Sequence, residues 1–463
     1  MAGEMPVVGV VMTMLELYRQ ENAARGPKFE THWKGVLEGV FTRRAKLHFA
    51  GVSYTADEVA TAVGSCERAD CDLVLVLPLA YAPSGIAVKA LCRTKLPLLL
   101  VSTARDATLP YDMDLDHIMA NHAVHGVQDL ANVLGRRGHR FEMVAGHPSK
   151  PEFAASLVQA ARAALGARVF RKGKVGRIGR PFAGMLDFDP GAGFSDYFGI
   201  KVVKMTAQKL ADAAKVIPQK RIQALANQVR KEFAVDAEAT PEEMEASLRW
   251  GLALEDVVHE KGMDAVSMNF LDVAAAGAAT LPFFGASRLM SVGVGYAGEG
   301  DVLTAALMAS VARIAGEATF TEMFCPDYAR NEILLSHMGE CNFSLASRHP
   351  VRLAAKDFAF GKCLRPLVPV FQLRPGPVTL ATITQWPDEG FRLVACSAEI
   401  VAAPDHANLV SPYSRIRFGR PLPEFLEAYS RAGGTHHLAL GYGDLRPALQ
   451  TFARFAGMGF QVA

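Results

Sequence analysis

The sequence predicts an α/β protein in which doubly wound N-terminal and central α/β domains are followed by a β-rich C-terminal domain. Residues 1–165 alternate short apolar runs with amphipathic stretches. The apolar runs are continuous and rich in Val and Leu, as expected of buried parallel strands: Val7–Val11, Leu73–Leu77 and Leu98–Val101. The amphipathic stretches have the spacing of helices that cover such a sheet: Thr31–Arg43, Ala56–Cys66, Ser84–Arg93, Asn121–Gly135 and Pro151–Leu165.

A second α/β segment begins near Val175. Its predicted helices are Ala207–Ala214, Gln219–Phe233 and Pro241–Glu260, and its predicted strand is Ala265–Met268. Basic residues are concentrated between 168 and 180, just before this segment. We interpret that stretch as a solvated connector between domains, in preference to a phosphate or polyanion patch.

The pattern changes near Ala318 to that of antiparallel β structure. Strands joined by turns rich in Pro and Gly are predicted at Val368–Leu373, Val378–Thr384 and Phe391–Ala402, with helices at Leu422–Ala432 and Leu445–Phe455. We therefore predict three domains: a Rossmann-like α/β domain over residues 1–167, a central α/β domain over 168–317, and an antiparallel β-rich domain with two helices over 318–463.

The composition excludes several classes of protein. A net charge of +2 over 463 residues gives no reason to expect nucleic acid or a membrane surface as a partner. The chain contains 7 Cys residues without a C-x-x-C pair, which favours reduced thiols. Among these, Cys325 is interpreted as a small buried hydrophobe in preference to a reactive thiol. With no signal-peptide pattern and no membrane-length apolar run, a cytoplasmic location is expected.

One glycine pattern imitates a nucleotide-binding motif. Gly293-x-Gly295-x-x-Gly298 fits the dinucleotide fingerprint, but it falls late in the central segment, and the helix that follows it runs into β structure. The predicted first strand, Val7–Val11, is not followed by glycines. We therefore expect the glycines to allow a tight backbone turn that directs Glu299 into a cleft.

Two carboxylates and two imidazoles in the last third of the chain are the best candidates for chemistry. Glu299 lies in a Gly-rich turn, Glu322 follows a strand-like stretch, His337 closes an apolar run, and His437 follows Gly433-Gly434-Thr435-His436. Carboxylate oxygens and imidazole nitrogens suit Mn, Co, Zn or Fe, and four ligands leave room for a bidentate substrate. No two of them share a helical spacing, so the sequence alone does not bring them together.

A smaller group is formed by His122 and His125. On a continuous helix, residues three apart share one face, where two histidines can bind a metal. Exposed or capped histidines are an equally good interpretation.

Four local motifs together resemble the L-arabinose isomerase and L-fucose isomerase family: Ala297-Gly298-Glu299-Gly300-Asp301 with Thr304-Ala305, Phe320-Thr321-Glu322, Ser336-His337-Met338, and Gly433-Gly434-Thr435-His436-His437. The resemblance implies that Glu299, Glu322, His337 and His437 hold a catalytic divalent metal. The metal expected is Mn²⁺, with Co²⁺ or Mg²⁺ as alternatives. In the family the second of the paired histidines is the ligand. His436 is accordingly a candidate for contact with the substrate.

The resemblance extends over nearly the whole chain and implies further sites. Tyr81 matches the family's pocket loop, Met185 matches a pocket methionine, and His125 matches a histidine that reaches a neighbouring subunit's site. A homo-trimer or homo-hexamer with active sites between subunits is therefore expected. Asp301 and Glu340 are candidates to orient the metal ligands, although a helix cap and a surface role are the favoured interpretations of these two residues.

The departures from the family lie in the sugar pocket. Two polar sugar contacts of the family are replaced by Leu15 and Glu16, and His122 stands where the family has Gln. Gly339 follows Met338 in place of a usual Leu. The metal chemistry is thus expected to be kept while the recognition of the sugar is altered.

These features predict a metal-dependent aldose–ketose isomerase acting on a pentose, a deoxyhexose or a related sugar. A divalent ion chelated by O1 and O2 acidifies the C2 hydrogen and stabilises an enediolate, and paired carboxylates such as Glu299 and Glu322 can move the two protons. The same residues leave open a metal-dependent epimerase or lyase on a modified sugar. A non-catalytic sugar-binding protein that keeps the fold is the third possibility.

Overall fold

A computed structural model describes residues 4–191, 193–358 and 363–463 and confirms the predicted α/β class. The described chain divides into two compact units. The N-terminal unit contains Glu4–Arg168 together with Gln450–Phe455, and the C-terminal unit contains Val169–Leu449 together with Ala456–Ala463. The three-domain division stays a prediction.

The N-terminal unit is built on a parallel sheet. Its strands are β1 (Val7–Thr13), β2 (Lys46–Ser53), β3 (Leu73–Pro78), β4 (Leu98–Ser102) and β5 (Glu142–Ala145). They lie in the order β2-β1-β3-β4-β5, and every neighbouring pair is parallel. Strand β3 is buried along its whole length, which explains its unbroken run of apolar side chains.

Helices cover this sheet much as their spacing predicts. They are α1 (Glu16–Glu21), α2 (Arg25–Phe41), α3 (Ala56–Arg68), α4 (Val88–Leu91), α5 (Leu115–Asn121), α6 (Val124–Arg136) and α7 (Pro151–Lys172). Helix α3 begins with a capping box in which Thr55 and Glu58 satisfy each other's backbone N–H groups. A single helix over 121–135 is a wrong prediction, because the chain breaks between α5 and α6 at His122.

The predicted connector over residues 168–180 is also wrong. Helix α7 continues to Lys172, and strand β6 (Lys174–Ile178) begins two residues later. The apolar side chains of this stretch, among them Phe170, Val175 and Ile178, are buried. The basic side chains therefore lie on a helix end and a strand, not on a solvated linker.

The first part of the C-terminal unit is a second parallel sheet. Its strands are β6, β7 (Lys201–Met205), β9 (Ala265–Met268) and β10 (Gly295–Gly298), in the order β10-β9-β6-β7. A short strand, β8 (Phe233–Val235), pairs outside this sheet. The helices are α8 (Phe194–Phe198), α9 (Ala207–Lys215), α10 (Gln219–Glu232), α11 (Pro241–Lys261), α12 (Phe270–Ala275), α13 (Phe283–Ser291) and α14 (Val302–Ala315).

The second part of this unit is an antiparallel barrel, which confirms the predicted β-rich C-terminal region. Its strands are β11 (Thr319–Asp327), β12 (Glu332–Ser336), β15 (Gly376–Trp386), β16 (Gly390–Val401), β17 (Tyr413–Phe418) and β18 (His437–Tyr442). They lie in the order β15-β18-β11-β12-β17-β16, and β15 also pairs with β16. This last pairing closes the sheet on itself and removes its open edges.

Five further elements follow along the chain. They are β13 (Val351–Ala355), β14 (Leu367–Val370), α15 (Leu422–Arg431), α16 (Arg446–Ala456) and β19 (Gly459–Val462). Strand β13 joins β14 to β8, and β19 adds to the barrel strand β16 in parallel. Across the described ranges, no helix is both long enough and apolar enough to cross a membrane.

Candidate metal centre

The structure brings together the four side chains that the sequence singles out as metal ligands. Glu299, Glu322, His337 and His437 each offer one ligand atom, and these atoms all lie within 4.8 Å of one another. Three of the residues are buried and Glu322 is partly exposed. The side chain of Glu322 is 14% exposed, so access to the cluster is on its side.

Strand register in the barrel positions three of the four residues. Glu322 on β11 is paired with His437, the first residue of β18, and with Ser336, the last residue of β12. His337 follows Ser336 directly. The three side chains therefore meet at one end of the barrel although they are far apart in sequence.

Glu299 comes to the same place from the end of β10 in the parallel sheet. Its backbone has a φ of 64°, in the left-handed region that few residues other than glycine adopt. A Cβ atom at Gly298 would lie 3.0 Å from Cε1 of His337, and one at Gly300 would lie 2.6 Å from the carbonyl oxygen of Arg180. The two glycines thus leave room for His337 and for the neighbouring backbone, as the interpretation of this motif as a tight turn anticipates.

Both imidazole rings are oriented by carboxylates behind them. Nδ1 of His437 lies 2.8 Å from Oδ2 of Asp301, and Nδ1 of His337 lies 2.8 Å from Oε2 of Glu340. The other oxygen of Glu340 accepts a hydrogen bond from Tyr296 at 2.7 Å. Because Nδ1 is engaged in each ring, Nε2 is the nitrogen left to face the cluster.

This arrangement corrects the interpretation of Glu340 and extends that of Asp301. Glu340 is 2% exposed, so the expected surface role is wrong. Asp301 does cap α14, since its Oδ1 accepts a hydrogen bond from the backbone N–H of Thr304 at 2.8 Å. Its second oxygen is the one that contacts His437, so Asp301 both caps α14 and orients the imidazole ring of His437.

The Nε2 atoms lie against the two glutamates. Nε2 of His437 is 2.9 Å from Oε2 of Glu299 and 3.0 Å from Oε1 of Glu322, and Nε2 of His337 is 3.3 Å from the same Glu322 oxygen. Burial would lower the pKa of His337, but the facing carboxylates of Glu340 and Glu322 raise the pKa to about 10. Burial likewise would raise the pKa of Glu322, but hydrogen bonds from the two histidines hold this pKa below its ordinary value.

These contacts fit a divalent cation. Several carboxylates are buried together here, and the protons on the two imidazoles are the positive charge that offsets them. A divalent cation at the centre of the four ligand atoms can replace those protons. The donor set, two carboxylate oxygens and two imidazole nitrogens with oriented rings, is the set that Mn, Co, Zn and Fe accept.

Aromatic rings form the walls of the cluster. The ring of Phe320 meets the rings of His337 and His437 edge-on, with centroids 4.6 and 4.9 Å away. The ring of Phe188 stacks on His437 at 4.6 Å with an interplanar angle of 5°. Phe188 is not recognisable from the sequence, because the loop that carries it has no periodic pattern.

Two predicted substrate residues belong to the same unit as the cluster. His436 precedes His437, and its ring centroid lies 4.4 Å from that of His437. The partner of His436 is Asp187, whose Oδ2 lies 2.7 Å from Nδ1 of His436. No sequence pattern points to this pair. Met185 is partly buried in the same loop, two residues before Asp187.

The other predicted substrate residues lie in the N-terminal unit. His122 is the C-cap residue that follows α5, and His125 lies in the first turn of α6, so they do not share one helix. Their rings are nevertheless 5.9 Å apart, and the ring of Tyr81 lies 6.5 Å from that of His125. Tyr18 contacts Nε2 of His122 at 3.1 Å. The structure thus gathers these aromatic side chains into one cluster.

Leu15 and Glu16 begin the α1 region beside this aromatic cluster. The backbone N–H of Leu15 donates to the carbonyl oxygen of Tyr81 at 2.9 Å. The side chain of Glu16 pairs with Arg19 at 2.8 Å, and Arg19 also pairs with Glu58.

The described Cys residues are free thiols, and Cys325 is exposed, so the predicted burial of Cys325 is wrong.

Fold and site together define an α/β protein with an antiparallel barrel that carries a buried carboxylate–imidazole cluster at one end. Three family models match the chain in succession: the L-arabinose isomerase N-terminal domain over residues 11–172, the central domain over 194–317, and the C-terminal domain over 317–459. The chain belongs to the L-arabinose isomerase family, a family of aldose–ketose isomerases.

Individual relatives are distant but matched over most of their length. The L-arabinose isomerase of Nocardioides sp. is 29% identical over 398 residues, covering 82% of this chain and 77% of the relative. That of Geobacillus stearothermophilus is 26% identical over 431 residues, covering 89% and 85%. A solute-binding protein from Actinobacillus succinogenes with bound D-allose is 14% identical and covers 67% of this chain and 92% of its own, but its TM-score of 0.19 supports no structural argument.

Proposed function

We propose that this protein is a divalent-metal-dependent aldose–ketose isomerase acting on a pentose, a deoxyhexose or a related sugar. One observation carries the proposal: two carboxylates and two imidazole Nε2 atoms converge within 4.8 Å, while both Nδ1 atoms are held from behind by carboxylates. A site that only bound a sugar would need no such pair of convergent carboxylates.

The reaction moves one proton from C2 to C1 and another from O2 to O1. Glu299 and Glu322 are the groups that can carry these protons, one acting on carbon and one on oxygen. Both are within hydrogen-bond reach of Nε2 of His437, which keeps their oxygens side by side. His337 and His437 complete the binding of the cation, which would be Mn²⁺ in the first instance. A bound divalent cation supplies Lewis acidity to the two substrate oxygens.

The substrate class rests on the family and on the departures from it. The relatives matched over most of this chain are named L-arabinose isomerases, which supports a pentose. Leu15 and Glu16 replace residues that contact the sugar in that family, and His122 stands where the family has Gln, so a sugar other than L-arabinose is included in the proposal. We also expect a homo-trimer or homo-hexamer in which His125 reaches a neighbouring subunit's site, and a cytoplasmic location.

The proposal is tested by incubating the Mn-loaded protein with a panel of aldoses in heavy water and following the sugars by NMR. Appearance of a ketose carrying deuterium from the solvent or hydrogen retained from C2 is the expected result. Deuterium exchange at C2 with only aldose products would instead indicate an epimerase. A protein that turns over no aldose and gains no thermal stability from Mn would overturn the proposal.

The variant Glu322→Gln tests whether Glu322 carries a proton in the reaction or only lines the site. The amide has nearly the same shape as the carboxylate but cannot accept a proton, so turnover should fall by about 10²-fold or more. Near-normal turnover in this variant would exclude Glu322 as a proton carrier. A matched control is Glu317→Gln, outside the cluster, which should turn over sugar at the rate of the wild type.

A further inference from the structure

A loop of the C-terminal unit is attached to the candidate metal centre at several points. The backbone N–H of Phe182 donates to the carbonyl oxygen of Glu299 at 2.9 Å. Phe188 stacks on His437, as described above. Between these contacts, the carboxylate of Asp187 faces His436, the neighbour of the ligand His437. Neither the metal nor the proton transfers proposed above require this carboxylate.

Asp187 contacts His436 through a single carboxylate oxygen. Its Oδ2 accepts a hydrogen bond from the backbone N–H of His436 at 3.0 Å and lies 2.7 Å from Nδ1 of the same residue. An ionised carboxylate can only accept, so Nδ1 must carry the proton. In the neutral ring, Nε2 then holds a lone pair and acts as an acceptor.

The acceptor nitrogen is placed for a ligand. Within residues 4–191, 193–358 and 363–463, Nε2 of His436 has no hydrogen-bond partner. The side chain is 40% exposed, whereas that of His437 is fully buried with its ring centroid 4.4 Å away. His436 is thus on the solvent side of the cluster, where a sugar held at the cluster can reach it. Sugar hydroxyl groups are hydrogen-bond donors.

We propose that Asp187 is a positioning residue that holds His436 as the Nδ1–H tautomer, so that Nε2 accepts a hydrogen bond from a sugar hydroxyl beyond C1 and C2. This inference rests on the proposed function, since it names a contact with the same substrate. Asp187 acts through His436, the residue with which it makes both of its hydrogen bonds in the described chain. Its removal therefore weakens substrate binding more than the chemical step.

Steady-state kinetics of the Mn-loaded enzyme test the direction of the effect. Asp187→Ala should raise KM about ten-fold, the usual net contribution of one hydrogen bond, while kcat changes less than about three-fold. In Asp187→Asn the amide oxygen can still accept both hydrogen bonds, so KM should stay within about three-fold of the wild type. Asp189→Ala is the matched control, since the one hydrogen bond of Asp189 among the described residues is accepted from the N–H of Gly191 in its own loop.

A double-mutant cycle tests whether the effect passes through His436. His436→Ala alone should raise KM as much as Asp187→Ala does, and the double variant should be no worse than either single variant. Multiplied effects in the double variant, or an unchanged KM in Asp187→Ala, would overturn the inference. Equal loss in Asp187→Asn and Asp187→Ala would do the same.

Nitrogen-15 NMR of histidine-labelled protein provides a readout that does not depend on turnover. The His436 resonances, assigned by comparison with His436→Gln, should show the Nδ1–H tautomer in the wild type and an increased share of Nε2–H in Asp187→Ala. The Nε2–H tautomer in the wild type would refute the inference even in an active enzyme. If the wild type turns over no aldose, the proposed function fails, and the positioning role of Asp187 is decided by these spectra alone.

Discussion

Glu299 presents its carboxylate from a backbone conformation that costs free energy. A non-glycine residue at a φ of 64° is strained by about 1–3 kcal/mol and persists only where the surroundings hold it. Here the turn is held by Gly298, which leaves room for His337, and by Gly300, which lies against the backbone of Arg180. The backbone N–H of Phe182 also donates to the carbonyl oxygen of Glu299. At the scale of the residue, the strain is the consequence of directing this one side chain toward the barrel end.

Asp301 offers the sharpest prediction at this scale, because it has two separable roles. Asp301→Asn keeps an oxygen that can cap α14, but its amide nitrogen would face Nδ1 of His437, so Mn affinity should fall about 10- to 100-fold. Asp301→Ala should lose the same affinity and also lower the free energy of unfolding by about 1 kcal/mol, the usual contribution of a helix cap.

Mn titrations and urea unfolding of the two Asp301 variants measure these effects separately. Wild-type Mn affinity in Asp301→Asn would show that the contact with His437 has no part in metal binding. Equal unfolding free energies for the Asn and Ala variants would show that the cap made by Asp301 does not stabilise α14.

At the scale of the element, the sequence predicts buried structure best. Strand β9 coincides with its prediction at Ala265–Met268, because a short apolar run between turn residues has few alternatives. Strand β2 was missed, since most of Lys46–Ser53 is only partly buried and shows no apolar run. The helix over 121–135 was predicted too long, because periodicity does not register the break at His122.

The candidate site was only partly predictable for a physical reason. The ligand types and the turn at Glu299 are visible in local sequence, but the meeting of Glu322 with His437 depends on the pairing of β11 with β18. Strand partners far apart in sequence are chosen by the closure of the barrel, which no local pattern encodes. Asp187 and Phe188 were missed for a related reason, since a loop residue gains its contacts only from the assembled fold.

Two glycines of β10 provide the prediction at this scale. A Cβ atom at Gly295 would lie 2.2 Å from the carbonyl oxygen of Ala305 in α14, so Gly295→Ala must push the strand and the helix apart. We expect the free energy of unfolding to fall by about 1–3 kcal/mol, the usual cost of overpacking. In Gly298→Ala the new Cβ atom would be tight against the ring of His337 and in ordinary contact with Phe320, so this variant should weaken Mn binding with a smaller loss of stability.

Urea unfolding without metal and Mn titration together distinguish the two variants. Gly419→Ala is the control, since a Cβ atom there has no neighbour within 4 Å among the described atoms. A Gly295→Ala protein as stable as this control would contradict the close packing of β10 on α14. Unchanged Mn affinity in Gly298→Ala would contradict the contact with His337.

At the scale of the whole molecule, the chain returns to its first unit near its end. Gln450–Phe455, most of α16, belongs to the same compact unit as the N-terminal sheet. Thr451 donates to Glu142 of β5 at 3.1 Å, and Arg454 pairs with the same carboxylate. Phe452 in this segment is fully buried. The N-terminal unit is therefore completed by residues from the far end of the sequence.

Phe452→Ala should accordingly destabilise the N-terminal unit by about 3–5 kcal/mol, the usual cost of removing a buried ring. Hydrogen exchange followed by mass spectrometry should show the loss of protection in residues 4–168, with Mn affinity within about three-fold of the wild type. Phe425→Ala, a buried Phe of α15 in the C-terminal unit, is the matched control and should lose protection in the barrel. Loss of protection confined to the barrel in Phe452→Ala would contradict this division of the chain.

Equilibrium dialysis with Mn²⁺ tests the central claim, that Glu299, Glu322, His337 and His437 form one divalent-metal site. The wild type, freed of metal by a chelator, should bind one Mn²⁺ per chain, and His437→Gln should reduce the affinity by at least about 100-fold because the carboxylates lose a directed nitrogen ligand. His436→Gln, its neighbour, should bind as the wild type does. A wild type that binds no Mn²⁺, or a His437→Gln variant that binds it equally well, would contradict the assignment of the cluster as a metal site.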